Sequence, residues 1–404
     1  MPCEKFPDSR QISRRLAVAR TWPESPAGVR GVPSQRRVAS HGFEWEALIV
    51  LRPRVTLRDV ARSAGVHPGT ASRALNSDRR HLVNAETAER VLHVAESLQF
   101  RPDPAARSLK TRRSYTVGVL IPDLNNPLFP PIVRGIEDTL APQGYVVLMG
   151  NTDNDEDQER RVFEGMHSRH VDGFIVATAR QRHPLLDQAA AEELPVVLVN
   201  RILEERSFPS ASVDDRMGAR LAVAHLVQLG HRRIAHIAGP QDVSTGFGRR
   251  EGFEEGMRAA QIPPDPGLTM FANGFSQAEG RRCLEALLAS RPTFTAVLAG
   301  NDLLALGCYA ALAAAGIGCP EAVSVVGFND MPFIDQLRPP LTSVRIPHYQ
   351  IGVAAASLML ERIGDPRGPV SSQLLAPELV VRGSTAAPPT SESPSSPALA
   401  RRRL

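Results

Sequence analysis

VTLRDVARSAGVHPGTASRALN, residues 55–76, decides how the rest of the chain is read. Thr56 and Asp59 have the spacing of a capping box, in which the hydroxyl accepts from a backbone N–H three residues on and the carboxylate reaches back. Val60, Ala61 and Ala64 then supply one apolar face. Gly65 follows where a tight turn calls for positive φ. His67 stands at the next N-cap and Pro68 at N1, where a missing N–H costs nothing. The second helix runs to about Leu75, and Asn84 caps a third with Val91, Ala95 and Leu98 on one face. Two short helices across a glycine turn, closed by a third, predict a helix-turn-helix unit. A core this thin folds only when the local signals agree, and here they do.

The charge agrees with a nucleic-acid partner for this end of the chain. Residues 1–113 carry 21 Lys/Arg against 11 Asp/Glu, and the remainder 26 against 32. A basic front on an acidic back suggests a DNA-binding head on a body that does not bind DNA. Residues 1–53 mix Pro, Ser, Gly and Arg with little periodicity and read as a disordered basic extension. The first 30 residues lack an apolar core of signal-peptide length, and no apolar run is long enough to span a membrane. The four cysteines show no CxxC spacing, so neither a disulfide framework nor a zinc site is expected. A cytoplasmic protein without cofactor or metal is the expectation.

Beyond the head, Asp103-Pro104 opens a further helical stretch at 103–110, about two turns long and too short to be stable alone. From Tyr115 short apolar runs alternate with helical patterns: TVGVLI (116–121), YVVLM (145–149), GFIVA (173–177), PVVLV (195–199), RIAHIA (233–238), AVLA (296–299) and SVVGF (324–328). Runs apolar on both faces and spaced by helices predict an α/β fold of parallel sheets with helical crossovers. The end of the chain, 384–404, is rich in Pro and Ser and reads as a disordered tail. Its four prolines forbid a continuous heptad helix that could pair dimers.

The order T-L-x-D-V-A-x-x-A-G-V-x-x-x-T-x-S-R-x-L-N in residues 56–76 resembles the head of the LacI/GalR family of repressors. That resemblance implies that the second helix lies in the major groove, with Thr56, His67, Thr70, Ser72, Arg73 and Asn76 at the double-stranded operator. Arg73 is the candidate for guanine, since a guanidinium can donate to both O6 and N7. Pro68 and Gly69 depart from the pattern, as do Ala88 and a long loop at 77–83. PDPAARSLK (102–110) resembles the family's hinge helix, which would put Leu109 into a minor-groove step.

The body resembles the family's periplasmic-sugar-binding-protein-like core, carried by DLNNPLF (123–129), VDG (171–173), PVVLVNR (195–201), GND (300–302) and VGFND (326–330). The resemblance implies a domain order of a head at 54–111 and an effector-binding, dimerising core at 115–383. Within that core it implies one subdomain of about 115–214 and 320–345, and a second of about 215–319 and 346–383. The effector would sit between them, in the crevice beyond the strand ends. Asp302 and Arg249 match the family's dependable effector contacts, Phe129 and Phe275 its aromatic walls, and Asp123, Asn126 and Asn200 weaker ones. A carboxylate accepting from hydroxyls opposite a donating guanidinium suits a sugar or sugar derivative.

Other chemistries find little support. Asp153–Asp157 lacks the register of an EF-hand, and His167 and His170 lack a third ligand. No GxGxxG, P-loop or nucleophile elbow is present. A transport solute-binding protein would share the core but needs a secretion signal and no head, the reverse of what stands here. No acid/base pair with assignable spacing argues for a hydrolase. The expectation is a homodimeric, effector-controlled repressor.

Overall fold

The computed structural model describes residues 55–101, 111, 113–203, 208–290 and 293–389. The expected extension at 1–53, the hinge helix at 103–110 with Leu109, and the tail from 390 lie outside the described residues.

The head forms as its caps dictate. Helices α1 (Leu57–Ser63), α2 (Pro68–Leu75) and α3 (Ala85–Ser97) start at Thr56, His67 and Asn84, each of whose side chains accepts from a backbone N–H of the first turn. Thr56 and Asp59 bond reciprocally, and the Thr56 hydroxyl holds the Asp59 carboxyl below its usual range. Gly65 has φ +67°, which turns the chain from α1 to α2. Val60, Ala61, Ala71, Ala74, Ala88, Val91 and Ala95 make a core of small side chains that lets the helices approach closely. Ala88 is therefore a packing residue. Arg90 Nε donates to Ala64 O at 3.2 Å and Arg80 Nε to Ala74 O at 3.0 Å, satisfying carbonyls at the ends of α1 and α2.

The body holds two six-stranded sheets. One comprises β1 (Thr116–Ile121), β2 (Val146–Asn151), β3 (Gly173–Val176), β4 (Val196–Val199), β5 (Ser210–Val213) and β11 (Ser372–Leu375), in the order β11-β5-β4-β3-β1-β2 with every pair parallel. The other comprises β6 (Ile234–Ala238), β7 (Thr269–Phe271), β8 (Ala296–Ala299), β9 (Ser324–Asn329), β10 (Thr342–Arg345) and β12 (Glu378–Val380), in the order β12-β10-β9-β8-β6-β7. Only β10 and β12 run antiparallel. All seven apolar runs form strands, with ends within two residues of expectation.

The division into subdomains differs from the expected one. Residues 320–345 supply β9 and β10, which pair with β8 and with each other, so they belong to the second sheet. The long helix His348–Gly364 belongs to the first: it packs on the helix Phe129–Leu140, and β11 after it pairs with β5. The two helices touch through glycine. A Cβ at Gly352 would lie 2.0 Å from Ile132 O, and one at Gly135 would lie 2.2 Å from Tyr349 O. The chain thus crosses between subdomains after β5, β10 and β11, the layout of a hinge.

The core also runs past the expected boundary at 383. Ser384 is fully buried, donating to Val325 O at 2.6 Å and accepting from Thr342 N at 2.8 Å. Ala386 N donates to Ser324 Oγ at 3.0 Å, and its carbonyl meets His231 Nε2 at 2.8 Å. These bonds tie the chain's return to β9.

Candidate functional site

Two places carry the chemistry of recognition. On the head, α2 buries Ala71 and Ala74 and turns Arg73 and Asn76 outward, with Thr70 and Ser72 half-buried beside them. Arg73 Nη2 has one weak bond, to Thr70 Oγ1 at 3.4 Å, so its fork is held over the exposed face without being spent. His67 is exposed but uses Nδ1 as acceptor for Gly69 N at 3.1 Å, leaving Nε2 outward. Thr56 is a capping residue first, because its hydroxyl donates to Asp59 Oδ2 at 2.6 Å. The 3-10 turn Ser77–Leu82 adds exposed Arg79, a base that the reading of base-contacting positions did not select.

The second place is the cleft where the strand ends of the two sheets face each other. Asn200 and Arg201 follow β4, Asn126 and Leu128 come from the loop before the helix Phe129–Leu140, and Phe129 opens that helix. The opposite wall has Thr245 and Arg249 from the helix Ser244–Ala259, Phe275, Asn301 after β8 and Asn329 ending β9. The cavity they enclose is about 20 Å³, room for roughly one water. Gln181 N donates to Asp242 O at 2.8 Å and Ile202 N to Ser244 Oγ at 2.9 Å, so hydrogen bonds from main-chain N–H groups join the lips of the closed cleft. A larger cavity of about 140 Å³ lies beside β4, β5 and β11, lined by residues such as Leu198, Phe208, Ser212 and Leu374. Among the described residues its lining has no charged group and none of the expected contacts.

Arg249 is the best-braced side chain of the cleft. Its Nε donates to Asp215 Oδ1 and its Nη1 to Gly300 O, both at 2.7 Å, while its guanidinium lies 3.9 Å from the Phe328 ring centroid. Burial pushes the Asp215 carboxyl up to about 6, against the pull of Arg249. Arg201 is 7% exposed, and its guanidinium makes no hydrogen bond or ion pair among the described residues. Burial pushes it down to about 10. The Oδ1 atoms of Asn200 and Asn329 are buried without a hydrogen bond. Asn301 Oδ1 accepts from Leu304 N at 2.9 Å as a helix cap.

Five of the expected effector residues meet here: Asn126, Phe129, Asn200, Arg249 and Phe275. Asp302 does not. It is fully buried beneath the wall, where its carboxylate accepts from Ser343 Oγ at 2.6 Å and Met331 N at 2.8 Å. Burial pushes it up to about 7. Asp123 also lies off the lining, accepting from Asn125 N at 2.9 Å in a turn. Leu128, Arg201, Thr245, Asn301 and Asn329 are lining residues that sequence reasoning had not chosen, although all but Thr245 stood inside quoted motifs. Among the described residues no group of His, Cys, Asp and Glu could hold a metal.

Residues 56–103 match the family model for bacterial regulatory proteins of the lacI family, and residues 223–385 match the periplasmic binding protein-like domain. The ribose operon repressor of Halalkalibacterium halodurans is 33% identical over 338 residues, covering 84% of this chain and 99% of that one. The chain belongs to the LacI family. The transcriptional repressor CytR of Escherichia coli K12 is likewise 33% identical, over 83% of this LacI-family chain and 97% of its own length. Among solved structures, the lac repressor dimer bound to operator and the anti-inducer ONPF matches with TM-score 0.74 and 27% identity, covering 83% of this chain and all of that one. The regulator CelR in its cellobiose complex matches with TM-score 0.64 and 31% identity, over 82% of this chain and all of its own. This LacI-family protein is a DNA-binding transcription regulator. Among its described residues no helix is long and apolar enough to cross a membrane.

Proposed function

We propose that this regulator represses transcription from the cytoplasm as a homodimer on a pseudo-palindromic operator, and that a sugar or sugar derivative in the cleft sets its grip on DNA. The cleft carries the reading: a braced guanidinium, four amides and two phenylalanine rings converge between two subdomains joined by three crossovers. Amides and a guanidinium suit hydroxyl oxygens, and rings suit the apolar face of a sugar. A cavity of about 20 Å³ cannot hold a sugar, so binding requires the lips to part, and that movement is what the head would sense. A hydrolase is less well supported, because Asp215 and Asp302 are both committed to internal bonds. Fluorescence anisotropy of operator DNA, titrated with candidate sugars, tests the coupling: at least one sugar should shift operator affinity saturably. If sugars bind and operator affinity never moves, the reading is wrong. Light scattering should give a mass near twice 43.8 kDa, and a stable fourfold mass would contradict the dimer.

A further inference from the structure

We propose that the effector is an acidic sugar, a polyhydroxylated body carrying a phosphate or carboxylate, and that its anion is taken by Arg201 and Arg249 from opposite walls of the cleft. The inference rests on the cleft being the effector site. Its first support is a census of charge. Two guanidinium groups line the cavity together with Asn126, Asn200, Asn301 and Asn329, and among the described residues no carboxylate does. Arg249 has its counter-charge behind the wall, in Asp215 at 2.7 Å. Arg201 has none among the described residues within ion-pair distance.

Among the described residues, the two carboxylates whose charge acts on Arg201, Glu159 and Asp242, each face another group. Glu159 bonds to the Thr178 hydroxyl and lies 3.3 Å from His183 Nε2. Asp242 faces Arg180 at 4.0 Å, and Arg180 itself is paired with Glu156 at 2.7 Å. Burial is the main cause of the lowered Arg201 value, and the positive charges of Arg180 and Arg249 add to it. A buried guanidinium without a bonded partner is a costly arrangement, and an anion brought by a ligand removes the cost.

The geometry of the groups narrows the ligand further. Guanidinium forks match the paired oxygens of phosphate and carboxylate. The buried Oδ1 atoms of Asn200 and Asn329 are acceptors, which an anion cannot satisfy and hydroxyl groups can. Both requirements together describe an acidic sugar. Arg201 follows β4 of the first subdomain and Arg249 stands on the second, so closing the cleft brings like charges together. An anion between them turns that repulsion into a bridge and draws the two walls together around the bound ligand.

The test uses the full chain. Thermal unfolding is followed in sodium phosphate and in sodium chloride at matched ionic strength, and calorimetry compares glucose, glucuronate and glucose 6-phosphate. Phosphate should raise the melting temperature saturably beyond chloride, and at least one acidic derivative should bind ten-fold or more tighter than glucose. The phosphate effect should vanish in Arg201→Gln. Arg201→Lys, which keeps the charge, should retain part of it and serves should the glutamine variant not fold. Phosphate acting only as chloride does overturns the inference, as does a phosphate shift that Arg201→Gln leaves intact. Operator affinity in the same samples separates the two readings. A neutral sugar that moves it while phosphate does nothing refutes the anion and keeps the sensor. An acidic sugar bound through Arg201 that leaves it unchanged at saturation keeps the anion site and refutes the sensor.

Discussion

Replacing Arg73 by alanine separates the reading of DNA from the folding of the head. The side chain is exposed on α2 and its one weak bond, to Thr70 Oγ1, is 3.4 Å long. Losing it should change stability by no more than about 0.5 kcal/mol. On DNA the same guanidinium can donate twice to a guanine, worth about 1–3 kcal/mol of discrimination. A dimer makes that contact once per half-site, so operator binding should lose about 2–6 kcal/mol, or roughly 30-fold to 10⁴-fold. Random DNA senses only the lost charge and should lose much less. The assay is anisotropy at a fixed salt near about 150 mM, comparing a duplex selected from a randomised pool with a scrambled one. The ratio of the two affinities should collapse, and preference should relax at one base pair per half-site. If both affinities fall by the same factor, Arg73 touches phosphate and the guanine assignment is refuted.

Three further changes probe the scaffold. Asn84→Ala removes the cap of α3, whose Oδ1 accepts from Glu86 N at 2.9 Å; the head should lose about 1 kcal/mol of stability by chemical denaturation, and an unchanged midpoint would count against the cap. Gly352→Ala places a Cβ 2.0 Å from Ile132 O, so the two helices must part. A loss of about 1–3 kcal/mol is expected, and an unaltered melt would contradict the packing. Asp302 has its folded value raised from 3.8 to about 7, so its contribution is most favourable while it is protonated and is lost as pH rises between those values. The stability of the native protein relative to Asp302→Asn should therefore fall between pH 5 and 7, by at most about 1.4 kcal/mol per unit, and parallel pH profiles would refute the shift.

How far the sequence could be read depended on how local each cause was. The caps at Thr56, His67 and Asn84 act within three residues, so the head was legible to the residue. GFIV and VVLV announce buried strands by composition, whereas β5 is SASV and β11 is SQLL. Their polarity hides them: Ser210 and Ser212 are buried, and Ser210 Oγ donates to Ser372 Oγ at 2.9 Å across the pair. That β9 sits beside β8 and β11 beside β5 is a fact of pairing between distant segments, which no window of sequence contains. Assigning 320–345 to the first subdomain failed for that reason. After β8 the expected contact and the lining residue stand one position apart. Asn301 is the N-cap and lines the cavity, while Asp302 begins the helix and turns under the wall to meet Ser343. A carboxylate looked the better partner for hydroxyls, and the pattern alone could not say which way it faced.

Both walls of the cleft end a strand in the same way, and this gives one more prediction. Asn200 follows β4 with φ +65°, and Asn329 ends β9 with φ +112°. Asparagine tolerates such backbone better than most residues, but it is still disfavoured there. Each also buries an Oδ1 without a hydrogen bond, a cost of about 1–3 kcal/mol. Unfavourable backbone and unmet acceptors at two facing strand ends are what a ligand would relieve. Asn200→Gly isolates one of them. Glycine adopts the left-handed conformation freely, and it keeps the main-chain bonds Asn200 N to Ala211 O at 2.9 Å and Arg201 N to Val199 O at 2.7 Å. It removes the unmet acceptor, and gives back part of the gain through lost side-chain packing and a more flexible unfolded chain. The ligand-free protein should gain on the order of 1 kcal/mol, about 2–4 °C in a thermal melt. Effector affinity should meanwhile fall at least ten-fold, about 1.4 kcal/mol. A lower melting temperature would show that Asn200 holds its wall together, and an unchanged effector titration would take its carbonyl out of the site.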